Sequence, residues 1–307
     1  MIGALLTSPS AGLGAAAQVA DSVAARLRAS LSRLDTLVAS TPQGSAELAA
    51  RAVEAGVDLL VVLGGDGLAH VALQVCADSE TLLAVIPAGT GNDLARALGC
   101  PLEPFAATEA ILAELAAGRS HRIDLGRIAG GGSCSGAWFG TVLCAGFDSR
   151  VNELANRLRW PRGPRRYDLA ILSELVRLRP GPLEVRTPVE TLRLDATMVA
   201  VGNAAWYGGG IPICPDAVLD DGLFDLTVVA AMSRTELARV LPRLRTGRHV
   251  DHPAVTALRA ASVTLSGGSV GVREWIGYAD GERQAGLPLT LSCEAGVLRV
   301  VAPGLSG

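Results

Sequence analysis

A repeated unit constrains this chain more than any other feature: an apolar run that ends in a glycine-rich turn and is followed by an amphipathic stretch. In the first 120 residues the strand-like runs "IGALLTS", "LDTLVAS", "VDLLVVLGG" and "TLLAVIPAG" alternate with helix-like stretches such as "AAAQVADSVAARLRASL", "SAELAARAVEAG" and "LAHVALQVCA". Near-continuous apolar strands separated by helices predict a parallel sheet with helices on both faces. Ligands of such sheets bind beyond the carboxyl ends of the strands. Three of those ends carry the turns "SPSAGLG", "GGDG" and "PAGTGND", so these turns are expected to line one crevice. From about Arg119 the pattern becomes β-rich with frequent turns, broken by helical inserts near 151–179 and 234–245. An antiparallel, β-sandwich-like second domain is the expectation. The α/β domain is placed at residues 1–125 and the β-rich domain at 126–294.

Composition removes several function classes. With 307 residues, 49% hydrophobic and 19% charged, the chain is long and apolar enough for two globular domains. No apolar run approaches the roughly 18 residues of a membrane span, and the N-terminus lacks the basic segment of a signal peptide. A net charge of −3 argues against general nucleic-acid binding. The 27 basic residues are all arginine. A lysine-dependent Walker A loop is therefore excluded, and phosphate must be met by backbone N–H groups, arginine or a metal. The cysteines at 76, 100, 134, 144, 214 and 293 form no CxxC pair. They read as buried apolar residues of a reducing, cytoplasmic compartment. His121, His249 and His252 have no metal-ligand spacing.

Two of the turns carry chemistry together. "GLGAAA" at 12–17 imitates a dinucleotide fingerprint, but Asp35 stands at the start of the second strand instead of its end. In "VIPAGTGNDLARAL" the turn feeds a helix whose N-terminus offers free N–H groups to phosphate. Asp93 would repel that phosphate unless a cation lay between them. Asp66, alone among the glycines of "GGDG" at a strand end, is suited to hold Mg²⁺ against a polyphosphate lying along the bare backbone.

"GGDG" followed by "PAGTGNDLAR" resembles the diacylglycerol kinase catalytic-domain family, which includes bacterial lipid kinases and sphingosine kinases. "SPSAG", "IDLG" at 123–126, "GNAAWYGGGIPICPDAVLDDGLFDL" at 202–226 and "DGE" at 280–282 follow in the family's order. The resemblance covers nearly the whole chain and implies an ATP- and Mg²⁺-dependent lipid kinase acting on a hydroxyl of a diacylglycerol-like or long-chain lipid. By the same resemblance the nucleotide would lie against Ser8, Pro9, Ser10, Ala11, Gly12, Thr41, Gly64, Gly65, Asp66, Gly67, Leu68, Ala69, His70, Gly89, Thr90 and Asn92. Asp66, Asp93 and Asp124 would surround the catalytic Mg²⁺ through water. Asp221 with the main-chain oxygens of Val218 and Leu223 would hold a structural Mg²⁺. Asp280 and Glu282 would stand beside the acceptor hydroxyl, one of them as general base, with Asp66 as the third catalytic carboxylate. The family's last strand returns to the first domain, which here implies residues 295–307.

The sequence departs from the family at three positions. Leu68 replaces a threonine, His70 an asparagine and Ser8 an asparagine, and Leu68 lacks a hydroxyl donor near the phosphates. A non-catalytic nucleotide- or lipid-binding relative is the alternative these changes favour. An NAD-kinase-like phosphotransferase is disfavoured, since its Asn-Glu and Thr-Pro-Thr-Gly-Ser stretches are absent. Finally, residues 150–186 hold nine arginines (150, 157, 159, 162, 165, 166, 177, 179 and 186) against Glu153, Asp168, Glu174 and Glu184. With Trp160 and Tyr167 among them, the segment is expected to dock peripherally on anionic membrane.

Overall fold

The computed structural model describes residues 1–9, 15–129, 136–158, 165–267 and 274–305, without the side chains of Ala15 and of 165–168. Its first part runs β1 (Ile2–Thr7), α1 (Ala15–Ser30), β2 (Arg33–Val38), α2 (Pro42–Glu54), β3 (Leu59–Gly64), α3 (Asp66–Cys76), β4 (Leu82–Pro87), α4 (Asp93–Ala97), α5 (Pro104–Ala116) and β5 (His121–Ile128). Strands pair in parallel in the order β4-β3-β1-β2. The continuous apolar character of β3 has a direct cause. Leu60 and Val62 face Ala49 of α2 and Ala69, Ala72 and Leu73 of α3, while Leu59, Val61 and Leu63 face Val23 and Leu27 of α1 and Ala107 and Ile111 of α5. Both faces are covered, so neither tolerates polar residues.

The second part runs β6 (Trp138–Phe139), β7 (Val142–Gly146), α6 (Phe147–Arg157), α7 (Arg165–Val176), β8 (Gly181–Arg186), β9 (Thr191–Gly202), β10 (Trp206–Tyr207), β11 (Ile211–Pro212), β12 (Phe224–Ala230), α8 (Arg234–Leu244), β13 (Val255–Ala260), β14 (Ser262–Gly267), β15 (Ile276–Ala279), β16 (Glu282–Gly286) and β17 (Leu289–Val300). Its pairings are antiparallel, and its core gathers Phe139, Val199, Val201, Phe224, Leu265 and Leu291.

The two parts share one 15-stranded sheet instead of holding two separate ones. The link is β17, whose 12 residues are long enough to serve both. Leu289 to Ser292 pair with β14, the strand runs antiparallel to β5, and Val300 pairs in parallel with Leu83 of β4. Its register against β5 shifts between Glu294 and Leu298, around Gly296 at φ 64°. Among the described residues no helix is long and apolar enough to cross a membrane. Cys76, Cys100, Cys144 and Cys214 are free and buried. Cys134 lies outside the described residues.

Candidate active site

Strand register brings the glycine-rich turns together. Thr7 lies beside Leu63 and Gly64 beside Pro87, so the chain leaves β1, β3 and β4 along one edge. The turns after β3 and β4 touch backbone to backbone: a Cβ on Gly89 would stand 2.4 Å from the Cα of Gly65. Only glycine permits that approach. Asn92, at φ 58°, closes the second turn by accepting from Gly89 N–H at 2.9 Å and donating to Gly89 O at 3.0 Å.

Asp66 opens helix α3, and its carboxylate crosses to the start of α4. Asn92 N–H donates to Oδ2 at 2.7 Å and Asp93 N–H donates to Oδ1 at 2.6 Å. These two N–H groups, expected to be free for phosphate, are therefore engaged by a side chain from the neighbouring unit. Gly91 leaves room between two acids: a Cβ there would lie 2.3 Å from Asp66 Oδ2 and 3.6 Å from Asp93 Oδ2. Burial, and then the charge of Asp93, raise Asp66 to about 6 against the pull of its N–H bonds. A crowded carboxylate pair with lone pairs still open fits a divalent cation, which would relieve the repulsion.

The remaining acids of the expected metal set serve other loops. Asp93 accepts from Gly209 N–H at 2.9 Å and Gly210 N–H at 2.7 Å, in a glycine run at positive φ, and burial pushes its pKa up. Asp124 is buried and accepts from Gly222 N–H at 2.6 Å and Gly296 N–H at 2.8 Å. It thereby ties β5 to the β-rich part and to β17. Among the described residues no three His, Cys, Asp or Glu side chains converge on a metal position. The structural Mg²⁺ expected at Val218, Asp221 and Leu223 does not fit what stands there. Leu223 N–H donates to Asp221 Oδ1 at 3.0 Å, and the Arg259 guanidinium bonds Asp221 Oδ2 and, at 3.2 Å, Asp225 Oδ2. Arginine already supplies the positive charge that a cation would bring.

The structure separates the two acids of "DGE". Asp280, at φ 51° in the turn between β15 and β16, accepts from Gly140 N–H (3.0 Å), Thr141 N–H (2.8 Å) and Thr141 Oγ1–H (2.6 Å), and pairs with His70 Nδ1 (2.9 Å). Burial pushes Asp280 up, but His70, Thr141 and Gly140 together hold its carboxyl below the ordinary value. For His70 burial acts downward and is outweighed by the hydrogen bond and charge of Asp280 and the charge of Glu282, so its pKa lies above the ordinary one. Glu282 is exposed, and among the described residues its carboxylate has no hydrogen-bond donor. A Cβ on Gly67 would lie 3.7 Å from its Oε1, which places the carboxylate over the first turn of α3.

The other expected contacts divide. Ser8 is half-buried, and Pro9 and Thr90 are exposed at the crevice edge, while Ser10, Ala11 and Gly12 lie outside the described residues. Thr41 caps α2 by accepting from Gly44 N–H at 3.1 Å. Ala69 is buried in the core and turned away from the crevice. Leu68 folds back on β3, its Cδ2 2.8 Å from where a Cβ of Gly64 would be. Residue patterns missed Gln74, Thr141 and the anchoring role of Gly209 and Gly210. The run "YGGG" was the available signal, since three successive glycines mark close backbone approach.

The arginine-rich segment is partly self-neutralised. Arg150 and Arg177 pair with the buried Glu174, Arg157 with Glu153 and Arg186 with Glu184. Arg159, Trp160 and Arg162 lie outside the described residues. Helix α7 leaves Leu169 (41%), Leu172 (60%) and Val176 (61%) exposed. At its end Val176, with Arg177, Arg179 and Arg234, lines a cleft of about 320 Å³.

Comparison with known proteins agrees with this layout. Residues 3–128 match the diacylglycerol kinase catalytic domain, and residues 141–302 match the YegS C-terminal NAD kinase beta sandwich-like domain. The chain is 41% identical to diacylglycerol kinase of Mycobacterium tuberculosis (strain ATCC 25618 / H37Rv) over 300 residues, 97% of this chain and 94% of that protein. It is 33% identical over 269 residues to a protein of Xanthomonas campestris pv. campestris (strain 8004) named "Probable lipid kinase YegS-like", 85% of this chain and 84% of that one. A crystal structure of a diacylglycerol kinase from Bacillus anthracis str. Sterne shares the fold, with TM-score 0.73 at 19% identity over 98% of this chain and 96% of that chain.

Proposed function

The chain belongs to the diacylglycerol kinase family of lipid kinases, and from that premise we propose that it transfers the γ-phosphoryl group of ATP to the hydroxyl of a diacylglycerol-like or long-chain lipid, with Glu282 as general base. Use of ATP follows from membership of a kinase family. The crowded pair Asp66 and Asp93 would hold Mg²⁺, which when bound supplies charge neutralisation of the phosphate oxygens. Gly67, where an added Cβ would meet nothing nearer than Glu282 Oε1 at 3.7 Å, leaves the backbone open for a polyphosphate to approach. Phosphoryl transfer needs a group to receive the acceptor's proton as the new P–O bond forms. Asp280 is poorly suited, since it is held ionised and its oxygens are engaged. Glu282 is suited, and the observation that carries the reading is its undonated carboxylate over Gly67. In a radiolabelled ATP transfer assay over a lipid panel, Glu282→Gln should lower kcat by about 10²- to 10⁴-fold while ATP affinity persists. A Glu282→Gln enzyme of near wild-type rate would overturn the assignment.

The enzyme must also reach a substrate that lives in a bilayer. Leu169, Leu172 and Val176 recur at three and four positions along α7 and so share one face. Arg177, Arg179 and Arg234 stand at its end. Apolar side chains beside arginines match the boundary between acyl chains and anionic headgroups. The α7 face therefore docks the protein peripherally on anionic membrane. Leu172→Ser with Val176→Ser should weaken sedimentation with phosphatidylglycerol-containing vesicles and leave ATP affinity unchanged; equal sedimentation would refute the docking face.

A further inference from the structure

We propose that His70 is a positioning residue of this kinase: from helix α3 it grips Asp280, and so holds the turn that carries Glu282 over the nucleotide loop. The inference rests on the reading of Glu282 as the base. Three of the four bonds that Asp280 accepts come from Gly140 and Thr141, within the β-rich part. The fourth, from His70 Nδ1 at 2.9 Å, comes from the α/β part. It is shielded, with 13% of the His70 side chain and 5% of the Asp280 side chain exposed. One helical turn further on, Gln74 makes a second rung: its Nε2 donates to Trp138 O at 2.7 Å and its Oε1 accepts from Trp138 N–H at 3.0 Å. Helix α3 is thus fastened to the β-rich part along one face.

The geometry connects this fastening to the chemistry. Gly67, under the Glu282 carboxylate, precedes His70 by three residues on that same face. Glu282 follows Asp280 by two residues, across Gly281 at φ 83°. Asp280 and Gly281, at φ 51° and 83°, form the left-handed pair of a tight Asp-Gly hairpin turn, which fixes Glu282 relative to Asp280. The imidazole is therefore the bond by which the helix bearing the phosphate loop sets the position of the turn bearing the base. Misplacing a reacting group by about 1 Å costs on the order of 10²-fold in rate.

An asparagine side chain can place its Nδ2 where histidine places Nδ1, whereas glutamine reaches towards the Nε2 position. His70→Ala should lower kcat by about 10- to 100-fold with KM for ATP and lipid nearly unchanged. His70→Asn should recover most of that loss, and His70→Gln should not. In a Glu282→Gln background, adding His70→Ala should cost little more, because residues that act through one another are non-additive. Thermal melting and nucleotide binding establish that each variant is folded, and the Asn–Gln contrast carries the test if the alanine variant is not. Wild-type kcat in His70→Ala, equal losses in His70→Asn and His70→Gln, or an undiminished effect of His70→Ala in the Glu282→Gln background would each overturn the proposal. Wild-type turnover in Glu282→Gln alone would instead remove the base assignment.

Discussion

On the α/β side of the crevice, Asp66 takes its two N–H bonds from residues 26 and 27 positions away, one strand over. On the β-rich side, Asp280 takes its bonds from residues 139, 140 and 210 positions away. Both are half-buried acids that receive backbone N–H groups, yet they are built differently. Parallel strands of consecutive βα units set their turns side by side, so the partner of Asp66 comes with the strand order. The turn holding Asp280 has no such neighbour rule, and its partners are brought in by β6, β7 and helix α3. Asp93 and Asp124 join the two regimes, since each sits in the first part and receives from glycines of the second. The crevice is therefore held by carboxylates used as clamps, and Glu282 stands out because no donor among the described residues clamps it.

The most severe way to break the α/β side is Asp66→Asn. On the proposed metal role it would weaken a ligand of the cation as well as remove one acceptor for the start of α4, and phosphoryl transfer should fall by about 10³-fold, in line with losing several kcal/mol of metal assistance. A radiolabelled transfer assay checks this. Next comes a matched pair of glycines. Gly89→Ala drives a Cβ into the backbone of Gly65 and should cost about 1–3 kcal/mol in urea unfolding. Gly210→Ala meets only the movable end of Arg96 and should cost about 1–2 kcal/mol for its left-handed backbone. If Gly210→Ala proved the more damaging, the β-rich side would be the more rigid of the two.

A third test sharpens the metal reading. Folded Asp66 titrates at about 6, above its unfolded value, so between about pH 4 and 6 the folded state holds a proton that the unfolded state has released. The share of metal-free stability owed to Asp66 should fall as pH rises through that window, and the raised pKa of His70 should extend the fall above about pH 6.5. Mg²⁺ should then raise Tm more at pH 7.5 than at pH 5, read by scanning calorimetry. The smallest effect is expected at Arg259, whose half-exposed guanidinium pairs with the exposed Asp221 and the buried Asp225. Arg259→Ala should lower stability by about 1 kcal/mol, and the part owed to Asp221 should shrink with added salt.

Much of the α/β half was legible in the residues. Continuous apolar runs such as Leu59–Gly64 and Leu82–Pro87 encode burial on both faces, and "GGDG" and "PAGTGND" mark where the backbone turns and where only glycine fits. Those are local properties, written in side-chain size, polarity and backbone freedom, and they determined the parallel sheet, its crevice and the order of its loops. Only the tertiary structure decided that one sheet runs through both parts, that Arg259 occupies the surroundings of Asp221, and that Asp280 is engaged while Glu282 is open. Asp280 and Glu282 are both acids beside one glycine, and no local pattern distinguishes them. What separates them is which donors arrive in space, and Gly140, Thr141 and His70 reach Asp280 only after strands distant in sequence have paired.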